Sequence, residues 1–157
     1  MQIRLITVGR LKEKWLREAY AEYEKRLGRY CKLTLVELPE ARLPESPSDS
    51  EIAAALETEG KAILQAAGGC LIAMCIEGKE RSSEEFAEML DQTAIRGGST
   101  VSFLIGSSFG LSDAVKRAAQ ERISLSRMTF THQIARVLLA EQLYRAFQIQ
   151  TGGKYHK

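Results

Sequence analysis

The chain has 157 residues, 45% hydrophobic and 27% charged, with a formal net charge of +2. That length predicts one domain over residues 1–157 with a sizeable core, and no apolar run approaches the roughly 20 residues that a membrane span needs. The start MQIRLITVGR is too short and too interrupted for a secretory signal, and three scattered cysteines predict a cytoplasmic protein rather than a disulfide framework.

Gln2 to Val8 alternates and is β-branched, which predicts a strand ending at Gly9. Arg10, Lys12, Lys14 and Arg17 open a helix whose stripe is Leu16, Tyr20, Tyr23 and Leu27, with Gly28 as its stop. Cys31 to Leu38 reads as a second strand. Residues 39–50 hold all three prolines and three serines, so they form an irregular loop. Ser48 and Glu51 have capping-box spacing for a helix to about Ala67, closed by Gly68 and Gly69. Cys70 to Ile76 is a continuous apolar run, as in a strand covered on both faces, and Glu77-Gly78-Lys79 turns out of it.

Ser82 and Glu85 repeat the capping box for a helix through about Ile95, closed by Gly97 and Gly98. Thr100 to Ile105 is a fourth strand. Ser112 is the expected N-cap of a short helix to about Glu121, and Ile123 to Phe130 reads as a fifth strand or two short ones. The stretch that follows is unusual. From Ile134 to Ile149, apolar residues fall in every sector of a helical wheel, so this helix must be covered on all sides. The domain can cover one side, and a partner subunit is the simplest cover for the other. Thr151 to Lys157 is a polar tail with too little apolar content to pack, and it is expected to be mobile on its own.

Strands alternating with helices predict an α/β fold: an open, mostly parallel sheet with helices on both faces. In such sheets ligands sit at the carboxyl ends of the strands, which brings Gly78, Gly106 and residues 125–130 toward one crevice. Residues 101–157 carry eight Lys/Arg against three Asp/Glu, while residues 1–100 carry fourteen against seventeen. The basic second half permits an anionic partner without demanding one.

Several chemistries can be weighed. Gly106-Ser107-Ser108-Phe109-Gly110 fits G-x-S-x-G between a strand and a helix, the pattern of a serine nucleophile elbow. His132 and His156 could serve as its base, but the only later aspartate, Asp113, sits in the very next helix, a poor place from which to orient a histidine. No Cys/His spacing resembles a metal site, and there is neither a G-x-G-x-x-G nor a Walker motif. Small residues after apolar strands suit an adenosine-bearing ligand, with Gly106 expected to admit it because it lacks a side chain. S-adenosyl-L-methionine needs little beyond such a pocket, since methyl transfer discharges its sulfonium.

Over its whole length the chain resembles the RlmH family of bacterial ribosomal RNA methyltransferases, of the SPOUT (α/β-knot) class. The resemblance is carried by LITVGRLKEKW, AEYEKRLGRY and IEGKERSSEEFA, and most strongly by FLIGSSFGLS, LSRMTFTHQIARVLLAEQLYRAFQI and KYHK. It implies a C-terminal trefoil knot, a homodimer, and methylation of N3 of a pseudouridine in helix 69 of 23S ribosomal RNA on the assembled ribosome. It implies S-adenosyl-L-methionine contacts at Met74, Gly106, Leu125, Ser126, Arg127, Met128, Thr129 and Phe130. His132, Arg136, Glu141, Arg145, Tyr155 and His156 match the family's polar positions near the acceptor. Two positions depart from the pattern: Ser107 stands where a glycine is usual, and Thr131 where a proline usually precedes His-Gln. The resemblance also implies no catalytic use of Ser108. A non-catalytic RNA-binding adaptor is a third reading.

Overall fold

A computed structural model describes residues 1–96 and 98–157. The expected helix stop at Gly97 lies outside the described residues. Five strands form one sheet in the order β2-β1-β4-β3-β5, with every pairing parallel. The strands are β1 (Gln2–Val8), β2 (Lys32–Leu38), β3 (Cys70–Glu80), β4 (Thr100–Ile105) and β5 (Glu121–Ser124). Between them run α1 (Lys14–Leu27), α2 (Asp49–Ala66), α3 (Ser83–Ile95) and α4 (Asp113–Ala118), and α5 (His132–Gln150) closes the chain.

Strand alternation divides the core in two, as a sheet covered on both faces requires. Ile3, Leu5, Val101, Phe103 and Ile72 point into one core with Leu16, Leu90, Leu139 and Leu143 of α1, α3 and α5. Ile6, Val8, Leu104 and Ala73 point into the other with Ile63 of α2 and Val115 of α4. Both expected capping boxes are present, at Ser48/Glu51 and Ser82/Glu85. Thr131 caps α5 by accepting the Ile134 N–H, which a proline could not do.

Four boundaries differ from the sequence reading, the first being α1, which begins at Lys14 rather than Arg10. β3 does not stop at Ile76; its pairing with β5 breaks after Met74 and resumes at Lys79, so residues 75–78 bulge out. Gly78 allows this, since a Cβ there would lie 2.5 Å from the carbonyl carbon of Ile123. α4 ends at Ala118 because Gln120 is drawn to β3, its N–H donating to Leu71 O (2.9 Å) and its Oε1 accepting the Leu71 N–H (2.6 Å). β5 is over by Ser124, and residues 125–130 form no strand. Side chains replace the ladder there: Ser124 Oγ donates to Ser126 O (2.8 Å), and Ser126 Oγ accepts the Met128 N–H (3.0 Å).

None of residues 132–149 is exposed even in a single chain, because α5 lies on the sheet between α1 and α3. Arg136 is its anchor. The side chain is fully buried, with Nη1 donating to Glu37 Oε1 (3.0 Å) at the end of β2 and Nη2 donating to Gly9 O (3.1 Å) just past β1. Burial pulls this guanidinium below its usual pKa, and Glu37 opposes the shift. Removing the guanidinium leaves a carboxylate and a carbonyl without their donor, so Arg136→Ala is expected to lower stability by about 3 kcal/mol. Urea denaturation checks this; a loss under about 1 kcal/mol, the worth of a surface pair, would show the anchor to be dispensable.

Candidate functional site

A cavity of about 850 Å³ opens at the carboxyl ends of β3, β4 and β5 and at the first turn of α5. Three segments wall it: the β3 bulge, the β4–α4 turn and the run from Ile123 into α5. Met74 sits where the β3–β5 ladder breaks, and the bulge carries Cys75, Ile76 and Glu77 to the wall. Glu77 is ion-paired with Lys116 of α4.

In the β4–α4 turn, Gly110 N–H donates back to Ser107 O (2.9 Å). Gly106 lines the cavity, but the structure gives its missing side chain another reason than room for a ligand. A Cβ there would lie 2.0 Å from Gly110 O, so the turn itself excludes one. Ser107 donates its hydroxyl to Glu59 Oε2 (2.9 Å), while Glu59 Oε1 accepts the Ala41 N–H (3.0 Å). The 6%-exposed Glu59 carboxylate thereby ties the cavity turn to the proline-containing loop. Ser108 is exposed and pairs with neither histidine. That removes the geometric basis for a serine hydrolase.

Leu125, Ser126, Met128, Thr129 and Phe130 line the cavity, as does His132. Arg127 does not; its side chain is 92% exposed and lies 3.9 Å from Glu80. His132 is mostly buried, with Nε2 3.6 Å from Glu40 and without a hydrogen-bond partner. Burial holds its pKa below the ordinary imidazole value, against the pull of Glu40, so the ring is neutral near pH 7.

The remaining polar residues gather elsewhere. Arg145 makes a bidentate contact to Glu141 Oε1 (2.6 and 3.1 Å), and Tyr155 donates its hydroxyl to the same oxygen (3.0 Å). His156 Nδ1 lies 3.2 Å from Arg145 Nη1 and Nε2 lies 2.8 Å from Glu84. A guanidinium cannot accept, so Nδ1 accepts and Nε2–H donates to Glu84. The Arg145 guanidinium also covers the Tyr155 ring at 4.7 Å. Burial, then Tyr23 and Glu141, push the Tyr155 pKa up, keeping the phenol protonated.

This cluster docks the tail, which composition alone predicts to be mobile. Tyr155 supplies both an aromatic face, 4.8 Å from the Tyr144 ring, and a polar handle. Within one chain none of Glu141, Arg145, Tyr155 and His156 lines the cavity, and Arg136 belongs to neither place. Gln142 links the two regions: it donates to Glu141 Oε2 (2.7 Å) and lines a smaller cavity of about 320 Å³, which shares Met74, Leu125, Ser126 and Phe130 with the larger one.

Sequence reasoning missed Trp15, Phe109 and the bulge residues 75–77 as lining residues. Trp15 had a signal, since it is the only tryptophan and falls off the Leu16/Tyr20/Leu27 stripe. The bulge had none, because CLIAMCI reads as unbroken strand. Among the described residues no cluster of His, Cys, Asp or Glu could hold a metal ion, and no helix is long and apolar enough to cross a membrane.

Comparison with known proteins gives these features a family. A family model described as predicted SPOUT methyltransferase matches residues 1–156. Proteins named ribosomal RNA large subunit methyltransferase H from Streptococcus thermophilus and Listeria monocytogenes are 48% and 50% identical over the full length of both chains. A probable methyltransferase from Bordetella pertussis shares the fold at a TM-score of 0.56, with 17% identity over 92% of this chain and 95% of that one. A probable methylase family protein from Haemophilus influenzae does so at 0.54, with 16% identity over 99% and 70%. The parallel sheet, the cavity at its carboxyl ends and the full-length sequence match agree: this chain belongs to the ribosomal RNA large subunit methyltransferase H family of SPOUT methyltransferases.

Proposed function

We propose that this chain is a single-domain, S-adenosyl-L-methionine-dependent methyltransferase acting on N3 of a pseudouridine in helix 69 of 23S ribosomal RNA. It works as a homodimer on the assembled ribosome, in the cytoplasm, with its C-terminal third threaded as a trefoil knot. One observation carries the reading beyond family membership: the strand ends enclose a largely apolar cavity where, among the described residues, no side-chain cluster could hold a metal ion and Ser108 bonds to neither histidine. Such a site suits a ligand that brings its own reactive group.

The residues present fit that cofactor. Met74, Ile105 and Leu125 offer apolar walls for an adenine. The partnerless Nε2 of His132 and the hydroxyls of Ser126 and Thr129 offer polar groups for a ribose or an amino-acid end. Bound there, the cofactor supplies an electrophilic methyl group. The chain's own task is to hold the acceptor in line and keep water out. Glu141, Arg145, Tyr155 and His156 are proposed to perform the first task. Because they lie away from the cavity of their own chain, the composite site pairs this cluster with the cavity of a second copy. The Glu141 carboxylate and Nδ1 of His156 are the groups available to receive the N3 proton.

Each part of this reading has its test. Gly106→Ala forces the Gly110 carbonyl to move, so calorimetry should show cofactor affinity reduced about tenfold or more, with the circular dichroism of the fold retained; wild-type affinity would place the cofactor elsewhere. Leu138, half-buried on α5, is the position at which to test the dimer, whereas Leu143 is fully buried in the core and tests only folding. Leu138→Asp strands a charge in the interface, at several kcal/mol, and should yield monomer by light scattering; an unchanged mass would remove α5 from the interface. Deleting residues 154–157 takes away Tyr155 and His156 and should reduce methylation of ribosomes at least about a hundredfold, with dimer mass and cofactor affinity near wild type. Full methylation by the truncated chain would leave the tail without a role.

A further inference from the structure

Seven large hydrophobic side chains are exposed among the described residues, and five of them line one cavity: Trp15, Ile76, Phe109, Met128 and Phe130. Soluble chains rarely gather exposed apolar surface without a use for it. Trp15 is the largest of the five and is 59% exposed. Its position is imposed by its neighbour, since Leu16, 4% exposed, locks α1 onto the sheet and turns Trp15 off the core stripe.

Basic residues outnumber acids in the sequence around this indole. Arg10, Lys12 and Lys14 are all exposed within five residues of it, and Glu13 and Glu18 are the acids in the same span. Among the described residues Arg10 and Lys12 make no ion pair, and the Lys14–Glu18 contact, at 3.6 Å between side chains 82% and 66% exposed, is a weak surface pair. Arg17 is differently engaged, donating to Leu11 O (3.2 Å) and Lys12 O (2.6 Å), and so holds the start of the helix in place.

We infer that Trp15 is a stacking platform for a nucleobase of the substrate RNA at the cavity mouth, with Arg10, Lys12 and Lys14 contacting the adjoining phosphates. An aromatic plane set among cations is what an unpaired RNA strand requires, because every base has a π-face and every linkage a negative charge. The second copy that the composite site brings to the cavity is a poorer occupant for this start of α1 itself, since lysine-rich surface is depleted from the centres of protein–protein interfaces. The inference rests on the proposed methyltransferase reading and adds to it the residue that receives the RNA.

Trp15 is the only tryptophan, so intrinsic fluorescence reports on this one side chain. With full-length protein saturated with S-adenosyl-L-methionine, a short uridine-rich RNA oligonucleotide should quench that fluorescence, and added salt should weaken the effect. In parallel, Trp15→Ala should lose about ten- to a hundredfold in kcat/KM for ribosome methylation, and Trp15→Phe, which keeps a ring, should recover most of it. Cofactor affinity by calorimetry and dimer mass by light scattering should be unchanged in both variants. Methylation by Trp15→Ala at the wild-type rate overturns the inference. Lost cofactor affinity would make Trp15 a cofactor wall, and lost dimer mass would make it a subunit contact; either result overturns it too. Quenching by RNA without methyl transfer in the unmodified chain would instead refute the methyltransferase reading and leave the stacking role standing.

Discussion

A guanidinium sealed from water must find partners inside the protein, and Arg136 finds them at the ends of two strands. Its bonds to Glu37 and to the Gly9 carbonyl fix the first half of α5 over the carboxyl edge of the sheet. From that placement the rest follows. Thr131 and His132 are held at the strand ends, and the chain between Ser124 and Thr131 has to cross the same edge to reach them. The cavity is the space that this crossing leaves beside the β4–α4 turn.

The molecule therefore has two polar centres of unlike character. Around the cavity the walls are apolar and the one histidine is neutral and under-bonded. Around the tail the polar side chains bond one another: Glu141 accepts from Arg145 and Tyr155, and His156 bridges Arg145 and Glu84. Exposed Glu84 is held down to about 2, chiefly by its own backbone N–H and then by His156 and Ser82. The first centre is built to accept a ligand; the second is already a rigid, pre-oriented array of the kind that catalysis exploits.

Much of this was legible in the sequence, because it depends on local patterns. The two capping boxes, the alternation of β1 and the continuous apolar runs of β3 and β4 each state their structure within a few residues. What failed to show depends on distant partners. Nothing in CLIAMCIEGKE announces that β5 will pair on both sides of a four-residue bulge. The run after Ser124 alternates like a strand, yet serine hydroxyls take over its backbone bonds. Arg136 could be read as a site residue from the family pattern, but its burial depends on Glu37, ninety-nine positions away. The all-round apolar α5 was read correctly as a covered helix; the share of that cover provided by α1 and α3 was not visible. The two departures from the family pattern, Ser107 and Thr131, each proved to have a bond of its own, to Glu59 and to the Ile134 N–H.

The same long-range ties bear on how the chain folds. β1 is an inner strand: β2 pairs with it from about thirty positions on, but its other neighbour, β4, begins only at Thr100. Gly9, at its end, waits for Arg136, 127 positions later. Closing this sheet therefore waits on contacts between residues far apart in sequence, the class of contact that slows folding.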